Sequence, residues 1–228
     1  MGPKKDVIDI VTELGGIQTN ESAQKLIEER LDATNLSKLS LVKNESVLRK
    51  IANAIVLCDP DSVFINTASD EDRQFIRDLS IEKGEESKLP MEGHTIHYDL
   101  KNEQGRIIDR TFYIHNEGEE VNSLAKLKDR RDALKDIQDK MTGIMRGKTM
   151  MIGFYLRGPV GAPASNPAVE ISSSTYVLHS ADILYRNVYS DFDREVEKLG
   201  HFYTNIHSEG LNRPEDLPNA RVFMDRSH

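Results

Sequence analysis

The chain has 228 residues, 38% of them hydrophobic and 30% charged, which is enough apolar material for one large domain or two small ones with a sizeable core. Its 38 acidic residues outnumber 30 basic ones, and the net charge of −8 speaks against a nucleic-acid groove and against an anionic membrane surface. A global negative sign does not exclude a small anionic substrate, because local arginines dominate the field inside a cleft.

In chain order, the start at residues 1–6 is polar and has no signal-peptide pattern, and no apolar run approaches a membrane span. Val7, Ile10, Val11 and Leu14 fall at helical spacing, and Gly15-Gly16 stops that segment. Asn20 is read as the cap of a second helix carrying Ala23, Leu26, Ile27 and Leu31. Asn44 caps a third, with Val47, Leu48, Ile51 and Ile55 inward. Cys58, the single cysteine, closes this run and reads as a buried thiol; alone it forms no intrachain disulfide, which fits a reducing cytoplasm. Asp59-Pro60-Asp61 is a turn and 62–66 a short strand. Ser69-Asp70-Glu71-Asp72 opens a helix with Phe75, Ile76 and Leu79 inward.

Residues 82–89 are charged and read as an exposed loop. Strand-like pieces follow at 95–100 and 111–115, separated by a turn at 101–106. A charged helix is expected over 121–141, where Lys126, Lys128, Arg130 and Arg131 interleave with Asp129, Asp132 and Asp136 as a solvated face. An apolar run ending at Arg157 reads as a buried strand. The loop after it, Gly158-Pro159-Val160-Gly161-Ala162-Pro163, mixes stiff prolines with bare glycines. Such a loop at the end of a buried strand is where α/β proteins meet small ligands, although on spacing alone a plain structural turn is the favoured reading. Strands are expected at 167–171, 176–185 and 202–206, a helix opening at 190–193 and stopping at Gly200, and a loop at 212–218. Residues 220–228 begin to look like a strand with no closing element, as expected of a chain cut from a larger protein. The alternation indicates an α/β fold: a mixed sheet flanked by helices, with a helical N-terminal segment at 1–58 and an α/β part at 59–228, together one structural domain.

There is no phosphate loop with a Lys-Ser/Thr ending, no nucleophile triad and no ligand cluster. His94 and His97, placed on a strand, point to opposite faces and make a poor metal pair. His179 reads as a satisfied core histidine, while His207 is open between a turn and a functional corner. Arg106 and Arg110 flank Ile107-Ile108-Asp109 at the mouth of a strand, where a guanidinium is suited to clamp a carboxylate, although on composition alone a solvated surface role is the favoured reading.

Several segments in order resemble one family. Met145-Arg146-Gly147-Lys148-Thr149-Met150 runs into the loop from Gly158 to Pro163. Then come Ala168-Val169-Glu170-Ile171, Ser174-Thr175-Tyr176-Val177 and Ser180-Ala181-Asp182-Ile183, and finally Phe202 with His207-Ser208-Glu209-Gly210. Upstream, Ser62-Val63 and Ala68-Ser69-Asp70-Glu71-Asp72 fit as well. This series resembles the N-terminal, substrate-side half of GTP-type phosphoenolpyruvate carboxykinase, with divergence like that of an archaeal branch.

The resemblance implies an enzyme of two domains that converts oxaloacetate and GTP to phosphoenolpyruvate, CO2 and GDP in gluconeogenesis, using Mn2+ or Mg2+. It places the substrate-binding role on Arg106, within Gly105-Arg106-Ile107-Ile108-Asp109-Arg110-Thr111, and makes Gly158, Pro159, Gly161 and Pro163 a supporting loop. Ile108 stands where the family usually has Glu, Arg157 replaces the usual Met, and Ala162 replaces Ser. Nucleotide, metal ligands and the rest of the catalytic machinery are expected on a C-terminal nucleotide-binding domain beyond His228. The chain alone is then expected to be inactive and to hold no cofactor. The competing reading is a stand-alone, non-catalytic binding module that keeps the fold.

Overall fold

The computed structural model describes residues 8–98, 108–116, 119, 126–208 and 217–225. Four helices come first: α1 (Ile10–Gly15), α2 (Asn20–Arg30), α3 (Ala33–Leu39) and α4 (Glu45–Cys58). Each begins where a side-chain oxygen accepts from a free main-chain N–H: Asp9 from Thr12, Thr19 from Ser22, Asp32 from Asn35, and Asn44 from Ser46 and Val47. Thr19, not Asn20, is therefore the second cap. Helix α3, which the spacing did not predict, is short and turns its Leu39 inward.

Next come β1 (Ser62–Asn66), α5 (Asp70–Glu82), β2 (Ser87–Lys88), β3 (Thr95–Ile96), β4 (Thr111–His115), β5 (Leu127–Asp129), α6 (Arg130–Met141), β6 (Thr149–Arg157), β7 (Asn166–Ser172), α7 (Thr175–Leu184), β8 (Arg186–Asn187), α8 (Phe192–Leu199), β9 (Tyr203–His207) and β10 (Val222–Met224). Four expectations fail here. Residues 176–185 form helix α7, not a strand, because Ser174 caps the segment and Leu178 and Ala181 bury one face at helical spacing. Of the charged helix expected over 121–141, residues 121–125 lie outside the described residues, 127–129 is a strand paired with β4, and the helix begins at Arg130. Lys128 thus sits on a strand, and it reaches Asp136 on the helix. The expected loop at 82–89 contains β2 and buries Glu86 to 5% exposure. Phe75, expected inward, is 45% exposed and lies against Phe64, with ring centroids 4.7 Å apart.

The main sheet has the order β1-β6-β7-β9 and is mixed: β1 and β6 are parallel, β6 and β7 antiparallel, β7 and β9 parallel. β8 pairs with β6 at Tyr155 and Leu156, continuing the edge that β1 covers up to Gly153. Between Thr149 and Arg157 β6 is apolar and buried because both of its faces are covered. Met150, Ile152, Phe154 and Leu156 face the main core with α4 and α8, whereas Met151 and Tyr155 face a smaller core with Ile76 of α5 and Leu178 of α7. Cys58 is fully buried in the main core.

A second, all-parallel sheet, β10-β4-β5, packs on α1 and α6 through Ile10, Ile114 and Ala133. Asp225, just past β10, accepts from the Ile10 amide at 2.9 Å, and Arg130 lies 3.7 Å from the same carboxylate. The chain is thus α/β, with mixed sheets flanked by helices and a helical N-terminal segment.

Candidate functional site

The loop from Gly158 to Pro163 joins β6 to β7 and is pinned from three sides. Gly158 has φ +112°, and a Cβ there would come within 2.7 Å of Ser165 Oγ, so no other residue fits without a shift. Ser165 Oγ donates to Pro159 O at 2.5 Å, and Arg186 donates to Gly158 O at 3.0 Å. From α8, the buried carboxylate of Glu195 accepts from Gly161 N at 3.0 Å, and Lys198 Nζ donates to Gly161 O at 2.5 Å. Of the donors that could cradle a phosphate, the Gly161 N–H is taken by Glu195 and the Ala162 N–H by Pro159 O at 3.2 Å, while the loop's carbonyls are held by Ser165, Arg186 and Lys198. This loop is a stiff wall, not an open nest.

Arg106, the predicted substrate arginine, lies outside the described residues, two positions before the 3-10 turn Ile108–Arg110 that leads into β4. Arg110 ends that turn and is half-buried. The solvated face predicted for the basic cluster holds only in part. Lys140 and Asp136 make an i,i+4 pair at 2.5 Å, but Arg130 is turned inward to Glu13 at 2.7 Å and to Asp225.

A polar row that the linear pattern did not reveal crosses the sheet on the face covered by α7. In register, Asn66, Gly153, Glu170 and Asn205 lie side by side on β1, β6, β7 and β9. Tyr155 folds its ring over Gly153, and its hydroxyl donates to Asp182 Oδ1 of α7 at 2.8 Å. Asn66 donates to both oxygens of the same carboxylate at 3.1 and 3.0 Å. Burial, with the Asp182 charge beside it, holds the Tyr155 phenol protonated far above its usual range. Burial also raises Glu170, against the opposing pull of the Asn205 amide at 3.0 Å and of Arg157. The one sequence signal for this row is the period of two along β6, which puts Gly153, Tyr155 and Arg157 on one face.

At the other end of β7 and β9, Glu85 accepts from Ser174 Oγ at 2.7 Å and from Tyr176 N at 2.8 Å, closing the first turn of α7. Glu86 pairs with His179 at 2.7 Å and accepts from Thr95 Oγ1 at 2.7 Å, so His179 is a satisfied histidine as read. His97 stacks on Tyr176 with centroids 3.6 Å apart. His207 lies beside Ser172 at 3.3 Å, and burial pushes its pKa down against the opposing charge of Glu85. Among the described residues no group of three or more His, Cys, Asp or Glu is placed to hold a metal ion, so no catalytic step is assigned through one here. No described helix is long and apolar enough to cross a membrane.

The sequence that folds this way has relatives among known proteins. Residues 49–227 match the family model described as phosphoenolpyruvate carboxykinase N-terminal domain, and the chain belongs to this family. It is 34% identical over 210 residues to the phosphoenolpyruvate carboxykinase (GTP) of Pyrococcus furiosus, a match that covers 90% of this chain and 33% of that protein. It is 36% identical over 203 residues to the protein of the same name from Thermococcus sibiricus, covering 87% and 32%. With the one from Saccharolobus solfataricus it shares 33% over 190 residues, covering 83% and 30%. The chain therefore spans about a third of the length of these relatives.

Proposed function

We propose that this chain is the substrate-side part of a GTP-dependent phosphoenolpyruvate carboxykinase, which turns oxaloacetate and GTP into phosphoenolpyruvate, CO2 and GDP in the cytoplasm as a step of gluconeogenesis. The observation that carries this reading is the family match over residues 49–227, together with relatives whose printed name is that enzyme. In this reading residues 1–58 and 59–228 fold as one domain. Arg106 grips the substrate carboxylate, and its fixed fork supplies position and positive charge for the phosphoryl transfer. Gly158, Pro159, Gly161 and Pro163 form the stiff wall beside it. GTP and the divalent cation, Mn2+ or Mg2+, are held by a C-terminal domain corresponding to the remaining two thirds of the relatives, which is this domain's partner. The chain by itself is inactive.

The test is GTP-dependent decarboxylation of oxaloacetate. Residues 1–228 alone should show no turnover, and clear turnover would overturn the reading. In the longer protein, Arg106→Ala should lower kcat/KM by roughly 2–4 kcal/mol, the loss expected for a charged contact to substrate. Unchanged kinetics in that variant would remove the role from Arg106.

A further inference from the structure

The second sheet has one packed face and one open face. Alternation along its strands puts Ile114 and Phe223 on the side of α1 and α6, where Ile114 is buried and Phe223 packs beside it. Tyr113, Val222 and Met224 therefore lie on the other side. The register adds Leu127 to them: Met224, Tyr113 and Leu127 stand side by side across β10, β4 and β5, and Val222 stands beside Thr111. Val222 is 43% exposed and Met224 39%, while Tyr113 and Leu127 are half-buried. Among the described residues, none of these four belongs to any of the three apolar cores.

Two observations bear on what covers this face. All three strands are parallel. Parallel sheets occur almost only where both faces are covered, and the main sheet, though mixed, meets that condition with a core on each side. The second sheet meets it on one side. β10 is also an edge strand, and it carries a valine and a methionine where a solvated edge would be blunted by charge. The second observation is length. The match to the N-terminal family model runs to residue 227, just past Met224, and the chain spans only about a third of its relatives. In a protein of that length the polypeptide that follows β10 starts out beside this face.

We propose that the open face of the second sheet, carried by Tyr113, Leu127, Val222 and Met224, is the docking surface for the C-terminal part of the longer protein. This rests on the function proposed above, which supplies that part. An apolar surface of the C-terminal part lies across the row Met224–Tyr113–Leu127, completes the burial that a parallel sheet requires, and fixes the two parts relative to each other.

The test compares the 228-residue chain with the longer protein under dilute hydrogen peroxide, following Met224 sulfoxide by mass spectrometry with added N-acetylmethionine as the reference for peroxide. Met224 should oxidise readily in the short chain and roughly tenfold more slowly in the longer protein. Equal rates in the two overturn the docking surface, even where the longer protein turns over oxaloacetate with GTP and the functional reading stands. Protection of Met224 in a longer protein without that turnover has the opposite meaning: the surface stands and the functional reading falls. If Met224 is already slow in the 228-residue chain, sedimentation shows whether a second copy covers it, as a dimer, or the chain itself does, as a monomer; either result overturns the proposal. The double variant Val222→Lys/Met224→Lys should leave the melting temperature of the short chain within about 2 °C and lower that of the longer protein by several degrees. The same small change in both overturns it. Should the double variant fail to fold as the short chain, the oxidation rates decide.

Discussion

Tyr155 lies across Gly153 so closely that a Cβ at position 153 would fall 2.7 Å from its hydroxyl. The absent side chain is what lets the phenol bend back over its own strand to reach Asp182 and Asn66. Gly153→Ala should therefore destabilise by about 1–3 kcal/mol through overpacking in a closed site. Tyr155→Phe keeps the ring but strips the half-buried Asp182 of a donor, at a cost of about 1–3 kcal/mol. Chemical denaturation of both variants measures this, and the double variant Gly153→Ala/Tyr155→Phe should be non-additive, because both act on one contact. Simple additivity would contradict the described packing.

Asp72 is tied to Lys38 at 2.5 Å and to the Thr67 amide at 2.9 Å. Burial alone would raise its pKa, but the bonds from Lys38 and Thr67 outweigh it and hold the carboxyl below its usual value. A lowered folded pKa means the stabilisation is present above the unfolded value of 3.8 and is lost as pH falls through the folded one. Asp72→Asn should cost about 1–3 kcal/mol at neutral pH. The gap between variant and parent should close below the ordinary carboxylate range. Urea melts at a series of pH values would show it.

Glu170 has the opposite sign. Its pKa is raised above 4.5, so the folded state holds the proton more tightly and stability falls as pH climbs from the ordinary carboxylate value through the raised one. The groups facing it are Arg157 and Tyr155 on β6 and Asn205 on β9. Glu170→Gln should be more stable than the parent at neutral pH, and the difference should disappear under acid conditions. Thermal melting of the two proteins at matched pH checks the sign, and a variant less stable at neutral pH would refute it.

Cys58 is fully buried, and burial pushes its thiol up to about 12. At pH 8 roughly one molecule in ten thousand carries the thiolate. The native chain should resist iodoacetamide and react at once when unfolded. Mass spectrometry of the labelled protein with and without denaturant reads this directly.

Much of the fold was legible where local chemistry acts alone. Asn44 and Ser69 cap the helices assigned to them, Gly16 and Gly200 close α1 and α8 as expected, and the continuous apolar run of β6 announced a strand covered on both faces. What failed was set by tertiary context. Residues 176–185 are rich in Tyr, Val, Leu and Ile and look like a strand, yet Ser174 and Glu85 together cap them as a helix, and Glu85 comes from 91 residues upstream of Tyr176. Residues 127–129 left their expected helix because β4 offered an open edge. The glycine–proline loop was visible as punctuation, whereas the row from Asn66 to Asn205 depends on the register of four strands, which no local pattern encodes. Arg157 stood out only as a departure from the resembled family.

The clip between Ile10 and Asp225 spans 215 positions of sequence. During translation, then, one bond of the first helix waits for nearly the whole chain: α1 can pack on α4 early, where Asp9 pairs with Lys50, but until residue 225 has cleared the ribosome the Ile10 amide lacks its carboxylate and β4 has only β5 beside it. The second sheet should therefore close last, and a polypeptide released a few residues before Asp225 would lack the tie between Ile10 and the end of β10.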